Sequence, residues 1–256
     1  MTARGIDYGA LFRPLAATCR KVIALDMLGH GGTSLPENSE DFNLESVVRA
    51  VTETLTSSQV LGSEQFFVFG NSLGGFVAVK LALELKDQVL GLALASPAGH
   101  PMEPEKLDQV RDQFDMGSHS KATAFVDLIK PVPESVGIVH RHIMAWYIRS
   151  RATSEGSLRF IENIGKERLL EAKEVQQLSC AVLLVWGKQE RIFDRDALEF
   201  WVGNLPDHLT TVITPDDCGH VSHIDQLDEV TGAMNKFIVG IGEGMAERPL
   251  LAAPAN

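Results

Sequence analysis

The feature that most constrains this chain is the run Gly70-Asn71-Ser72-Leu73-Gly74-Gly75. It stands between an apolar stretch at 66–69 and a helical pattern at Phe76, Val77, Leu81 and Leu85. A serine at such a junction suits a sharp turn that lifts its hydroxyl clear, because neighbours without a Cβ let strand and helix approach closely. A helix that starts just after Ser72 also turns its free N–H groups and the positive end of its dipole toward the hydroxyl. The spacing therefore makes Ser72 a candidate nucleophile and the Leu73 N–H a candidate oxyanion donor, with Asn71 beside it as a further substrate contact. The alternative is a glycine-rich turn whose serine merely caps the helix.

The rest of the chain supplies a setting for that turn. Short apolar runs at 22–25, 66–69, 90–95 and 181–186, and a weaker one at 209–213, each end in a turn cluster and predict strands buried on both faces. Leu44, Val47, Val48, Val51 and Leu55 keep a helical period behind Asn43, a capping residue, and predict a crossover helix. The expected fold class is α/β, a mostly parallel sheet flanked by helices. Between residues 101 and 178 the alternation gives way to helical patterns around 107–114, 122–129, 136–148 and 158–164. This predicts an inserted helical cap (101–178) between two parts of one core (1–100 and 179–242), followed by a mobile tail (243–256) rich in Gly, Pro and Ala. Phe125, Met144 and Trp146 of the cap are candidates to line a pocket, or simply to fill core.

A serine hydroxyl needs a base, and the base needs an acid to orient it. Among eight histidines, His220 follows the last predicted strand in Cys218-Gly219-His220, with His223 as its competitor. The acid belongs in the loop after 181–186, where Glu190 lies three residues beyond Gly187; Asp194 is the substitute. No metal is expected, because neither His220 with His223 nor His140 with His142 has a ligand set at metal spacing. No cofactor is expected either. The net charge of −11 opposes nucleic-acid binding, and no uncharged run of 18 residues predicts a membrane span. Three scattered cysteines and no visible signal peptide point to reduced thiols and a cytoplasmic setting. The expected partner is a small-molecule substrate, and homo-oligomers are compatible with the sequence.

Four segments together resemble the cap-bearing α/β-hydrolase superfamily. Residues 22–35 (VIALDMLGHGGTSL) look like its strand and following loop, and 70–75 (GNSLGG) like its nucleophile elbow. Residues 184–190 (LVWGKQE) look like its acid loop, and 218–220 (CGH) like its histidine loop. The elbow is similar to that of hydrolases cleaving carbon–carbon bonds of ring-fission dienoic acids, and of carboxylesterases and lactonases. Serine in place of aspartate sets aside the family's dehalogenase and epoxide hydrolase chemistries. The resemblance implies a serine hydrolase acting on an ester or a carbon–carbon bond of a small, partly apolar acid. A catalytically impaired binding protein and a cofactor-free haloperoxidase or acyltransferase are the alternatives.

Two departures stand out. Most members carry Asp where this chain has Glu190, and Pro where it has Asp194. The family also has two or three strands and a His-Gly oxyanion loop before the helix that begins here near Asp7. His30-Gly31-Gly32 follows Asp26 at the spacing of the family's next loop, so it reads as structural, and the second oxyanion donor has no residue. In the family's sheet the strand before this helix lies between those at 22–25 and 66–69. Its absence predicts a central gap and an N-terminally shortened chain in which Met1 is internal.

Overall fold

A computed structural model describes residues 4–36, 38, 41–130, 137–152, 158, 159, 161, 163 and 168–246. Four strands, β1 (Phe66–Asn71), β2 (Val89–Ala95), β3 (Ala181–Val185) and β4 (Thr210–Ile213), form a parallel sheet in the order β1-β2-β3-β4. Successive side chains of a strand point to opposite faces, and here both faces are covered. Leu92 and Leu94 of β2 join a core with Val47 and Val51 of helix α2 (Leu44–Thr56), Phe76 and Leu81 of α3 (Leu73–Leu85), and the fully buried Trp201. Ala93 and Ala95 face the other way, against Leu11 and Leu15 of α1 (Gly9–Leu15). The expected cap of α2 is present: the Asn43 side chain accepts from Ser46 N at 2.8 Å.

Between β2 and β3 lie α4 (Pro104–Gln113), α5 (His119–Ile129), α6 (Ile138–Ala152) and the short α7 (Ala172–Gln176). Phe125, Val126, Ile129, Ala145 and Ala152 join the same core as Leu92. Most of the pattern at 158–164 falls outside the described residues. After β3 come α8 (Arg195–Asn204), then β4, α9 (Ser222–Asp225) and α10 (Leu227–Ala246), whose Val230 and Met234 pack on the face of Ala93. The expected tail is corrected at its start, since 243–246 complete α10; 247–256 lie outside the described residues. Among the described residues, no helix is long and apolar enough to cross a membrane.

One expected strand is not in the sheet. Among the described residues, 22–25 belong to no ladder, and β1, the nearest strand in the expected order, pairs only with β2. A strand exists by its hydrogen-bonded neighbour. Here a cavity of about 440 Å3 lies between residues 22–25 and β1, so neither finds a partner on that side. In consequence β1 is only half-buried for most of its length, whereas β2 is buried almost throughout.

Candidate active site

The end of β1 and the start of α3 place Ser72. Its backbone has φ 55° and ψ −119°, a region that a non-glycine residue adopts only when its surroundings impose it. Ser72 N donates to Ala95 O at 3.0 Å, and Ser72 O accepts from Gly75 N at 2.8 Å and Ala98 N at 2.9 Å. A Cβ on Gly70 would stand 2.2 Å from Gly74 O, and one on Gly75 would stand 2.5 Å from the Pro97 Cβ. The second glycine of the motif is not needed sterically, because a Cβ on Gly74 would meet nothing within 4 Å. Gly70→Ala and Gly75→Ala are therefore expected to lose about 1–3 kcal/mol or more, as overpacked sites do. Gly74→Ala should hold or gain stability, since alanine exceeds glycine in a helix by up to ~1 kcal/mol. Urea denaturation of the three variants checks this, and Gly74→Ala as the weakest of them would refute it.

The acid loop and the histidine loop meet backbone to backbone beyond the ends of β3 and β4. Lys188 N donates to Pro215 O at 3.2 Å and Gln189 N to Cys218 O at 2.9 Å. Gly187 allows this contact, because a Cβ there would lie 2.2 Å from Cys218 O. Glu190 is thereby brought to His220, with Oε2 2.8 Å from Nδ1, and the two side chains are 2% and 6% exposed. Glu190 Oε1 accepts from Ile192 N at 2.7 Å and Phe193 N at 3.2 Å. Burial pushes the Glu190 carboxyl up, but the His220 ring and these hydrogen bonds outweigh it and hold the group below its ordinary value. Among the described residues, the Ser72 hydroxyl makes no hydrogen bond to His220, although both line one cavity. Such contacts commonly tighten only when substrate is bound.

Two site expectations change. Asp194, the substitute acid, instead caps α8 by accepting from Ala197 N at 3.2 Å and pairs with Lys106 at 2.5 Å. Asn71 lines the same cavity as Ser72, but its carboxamide has no N–H left over for an oxyanion, because Nδ2 donates to Ala95 O and to His220 O, each at 2.9 Å. It ties the elbow to the histidine loop. Leu73 heads α3, so its N–H has no intrahelical acceptor and remains the donor candidate.

The shared cavity measures about 500 Å3 and is walled largely by apolar side chains, among them Met102, Leu107, Phe114, Phe125 and Met144. Trp146 does not join them and is 66% exposed. At about 100° per residue, it lies some 200° around α6 from Met144. Sequence reasoning missed Tyr8 as a wall of this cavity. His223, expected to flank the site, is buried, stacks on Tyr8 with centroids 4.8 Å apart, and is pushed down to about 4, chiefly by burial. His30 also lines the cavity, in a loop where Asp26 accepts from Gly32 N at 2.8 Å and Gly5 N at 2.7 Å. Asp225, buried behind the histidine loop, accepts from Gly219 N at 3.0 Å and pairs with Lys130 at 2.9 Å. Tyr8 and Asp225 escaped sequence reasoning because the side chains they meet, His223 and Lys130, lie far away along the chain. Cys180 and Cys218 are buried, and burial pushes their thiols up to about 11 and about 12.

The alpha/beta hydrolase fold family model matches residues 3–144, more than half of the chain. The chain belongs to the α/β-hydrolase family. This α/β-hydrolase is 27% identical over 236 residues to the dihydrolipoyllysine-residue acetyltransferase component of the acetoin cleaving system of Cupriavidus necator, covering 86% of this chain and 56% of that protein. It is 25% identical to Lipase 1 of Psychrobacter immobilis, covering 84% of this chain and 68% of the lipase. A 95-residue stretch is 35% identical to human 1-acylglycerol-3-phosphate O-acyltransferase ABHD5, covering 37% of this chain and 27% of that protein. The chain thus spans little more than half of the first of these relatives, and less of the third. Among solved structures, a meta-cleavage product hydrolase from Pseudomonas fluorescens IP01 superposes with a TM-score of 0.75 at 19% identity, covering 93% of this chain and 89% of that one. An esterase from Thermogutta terrifontis gives 0.75 at 20% identity, covering 94% and 88%. At such identity they establish the fold.

Proposed function

We propose that this α/β-hydrolase is a serine hydrolase in which Ser72 is the nucleophile, His220 the base and Glu190 the acid. The observation that carries the reading is the strained Ser72 sharing one cavity with a buried His220 whose Nδ1 faces the Glu190 carboxylate. With Glu190 accepting from Nδ1–H, the lone pair of Nε2 is left to take the serine proton. Ser72 Oγ attacks a carbonyl carbon, and the negative oxygen that forms is met by the Leu73 N–H. His220 returns the proton to the leaving group, and water, activated by the same ring, frees the acid from Ser72. The apolar walls favour a small acyl chain, so the substrate is a carboxylic ester, or a partly apolar acid cleaved at a carbon–carbon bond.

A fluorophosphonate probe followed by peptide mapping tests the reading, with p-nitrophenyl esters and a ring-fission dienoate as substrates. Labelling of Ser72 and turnover of one substrate class are expected. A folded chain that takes no label at Ser72 would instead favour a binding role. That second reading is motivated by the single oxyanion donor so far assigned. Transfer of the acyl group to an acceptor other than water is compatible with the acetyltransferase and O-acyltransferase names among the relatives.

A further inference from the structure

The loop that carries His220 is tied to the cap as well as to the core. Lys130 follows the last residue of α5, where its N–H donates to Val126 O at 3.1 Å, and its ammonium reaches Asp225 Oδ1 at 2.9 Å. Asp225 ends α9, and its other oxygen accepts from Gly219 N at 3.0 Å. One carboxylate therefore joins a cation of the cap to the peptide just before His220. The contact is buried, with the Lys130 and Asp225 side chains 17% and 2% exposed. After the histidine, His220 O accepts from Asn71 Nδ2, and the ring itself meets Glu190. His220 is thus held at three points: by the backbone before it, by its own carbonyl, and by Nδ1.

The first of these runs through the cap. A carboxylate removed from water keeps its charge only beside a partner, and taking one member from a buried pair costs more than the pair contributes, because the other is left uncompensated. Lys130 is that partner for Asp225, and it arrives with α5. Ile129, its neighbour in the chain, lines the Ser72 cavity, so cavity wall and countercharge move together. We propose that Asp225 is a positioning residue for His220, and that Lys130 makes its hold depend on α5 being seated over the cavity. With α5 in place, Asp225 is paired and Gly219 is fixed, and the base stands at a set position. With α5 displaced, the carboxylate loses its countercharge and the peptide before His220 loses its fixed acceptor. This rests on the reading of His220 as base, and it gives the cap a part in catalysis besides walling the cavity.

The test measures fluorophosphonate labelling of Ser72, kcat and KM for a p-nitrophenyl ester, Tm, and hydrogen exchange of the Gly219 amide in the whole chain and four variants. Lys130→Met keeps a long side chain and removes the charge. It is expected to slow labelling and kcat at least tenfold, to change KM less than threefold, and to speed Gly219 exchange at least tenfold. Asp225→Ala, which removes the acceptor itself, should do the same. In Lys130→Met with Asp225→Asn no charge is left unpaired, and the asparagine oxygen can still accept from Gly219 N, so this double variant should label within about threefold of the parent. Lys121→Met, which breaks the exposed pair of α5 with Asp115, is the control and should label as the parent does. A lowered Tm with parent-like labelling and Gly219 exchange in Lys130→Met would make the pair structural only and overturn the proposal. So would a double variant as slow as Lys130→Met. If Lys130→Met does not fold, Asp225→Ala decides: slowed labelling at unchanged KM upholds the proposal, and parent-like labelling overturns it. A parent chain that takes no label removes the hydrolase reading instead; Gly219 exchange then still decides the tie, upheld if Lys130→Met speeds it and overturned if it does not.

Discussion

Glu190→Gln is expected to slow fluorophosphonate labelling of Ser72, and any ester turnover, by about 10³–10⁴-fold, the loss that follows when a serine hydrolase histidine is held in the wrong tautomer. The glutamine oxygen can keep the bonds from Ile192 N and Phe193 N, which now end on Glu190 Oε1. Its amide nitrogen then takes the place of Oε2 opposite His220 Nδ1. An N–H there forces Nδ1 to accept, puts the ring proton on Nε2, and removes the lone pair that must receive the serine proton. Asp194→Ala is the matched control. It removes the cap on Ala197 N, a loss of about 1 kcal/mol, and leaves labelling unchanged. Labelling that fails in Asp194→Ala and persists in Glu190→Gln would reverse the assignment of the acid.

The second large effect is on stability in mild acid. His30, His100 and His223 are buried, and burial is the first cause that pushes each of them down to about 4. An unfolded histidine titrates near 6.5, so between those values the unfolded chain binds more protons than the folded one. Stability is therefore fully present above about pH 6.5 and falls as the pH drops toward 4, by up to about 3 kcal/mol for each ring. Glu190, held below its ordinary value, works in the same direction but only below about 4.5. Urea midpoints at pH 7.5, 6 and 4.5 should decline steeply across the upper interval. His100→Phe, which replaces a ring packed edge-on to Phe193 by another aromatic ring, should flatten part of the decline. A midpoint constant from pH 7.5 to 5 would show that these rings are not buried neutral.

Much of the site was legible because its requirements are local. The strain at Ser72 needs Gly70 before it and Gly75 after it, and the helical period of Phe76, Val77 and Leu81 shows where α3 starts. Asn43 announces α2 by the same kind of short-range chemistry. The role of Asn71 was not legible, because its partners are backbone carbonyls 24 and 149 residues away, and any amide-bearing residue looks the same in a motif. Residues 22–25 misled for a related reason. An apolar run records the wish to be buried, while membership of a sheet is decided by whether a neighbouring strand is there. Trp146 shows the limit of composition within a helix, since two positions from Met144 is enough to turn a side chain from the cavity to the outside.

The contact of Gly187 with Cys218 joins the acid-bearing and histidine-bearing loops so closely that neither has room to change length alone. A one-residue insertion in either would shift Glu190 and His220 out of register together, as a single failure rather than two graded ones. Met102, Leu107, Phe125 and Met144 line the cavity and make no backbone hydrogen bond to either loop, so variation there is expected to leave the Glu190–His220 contact in place.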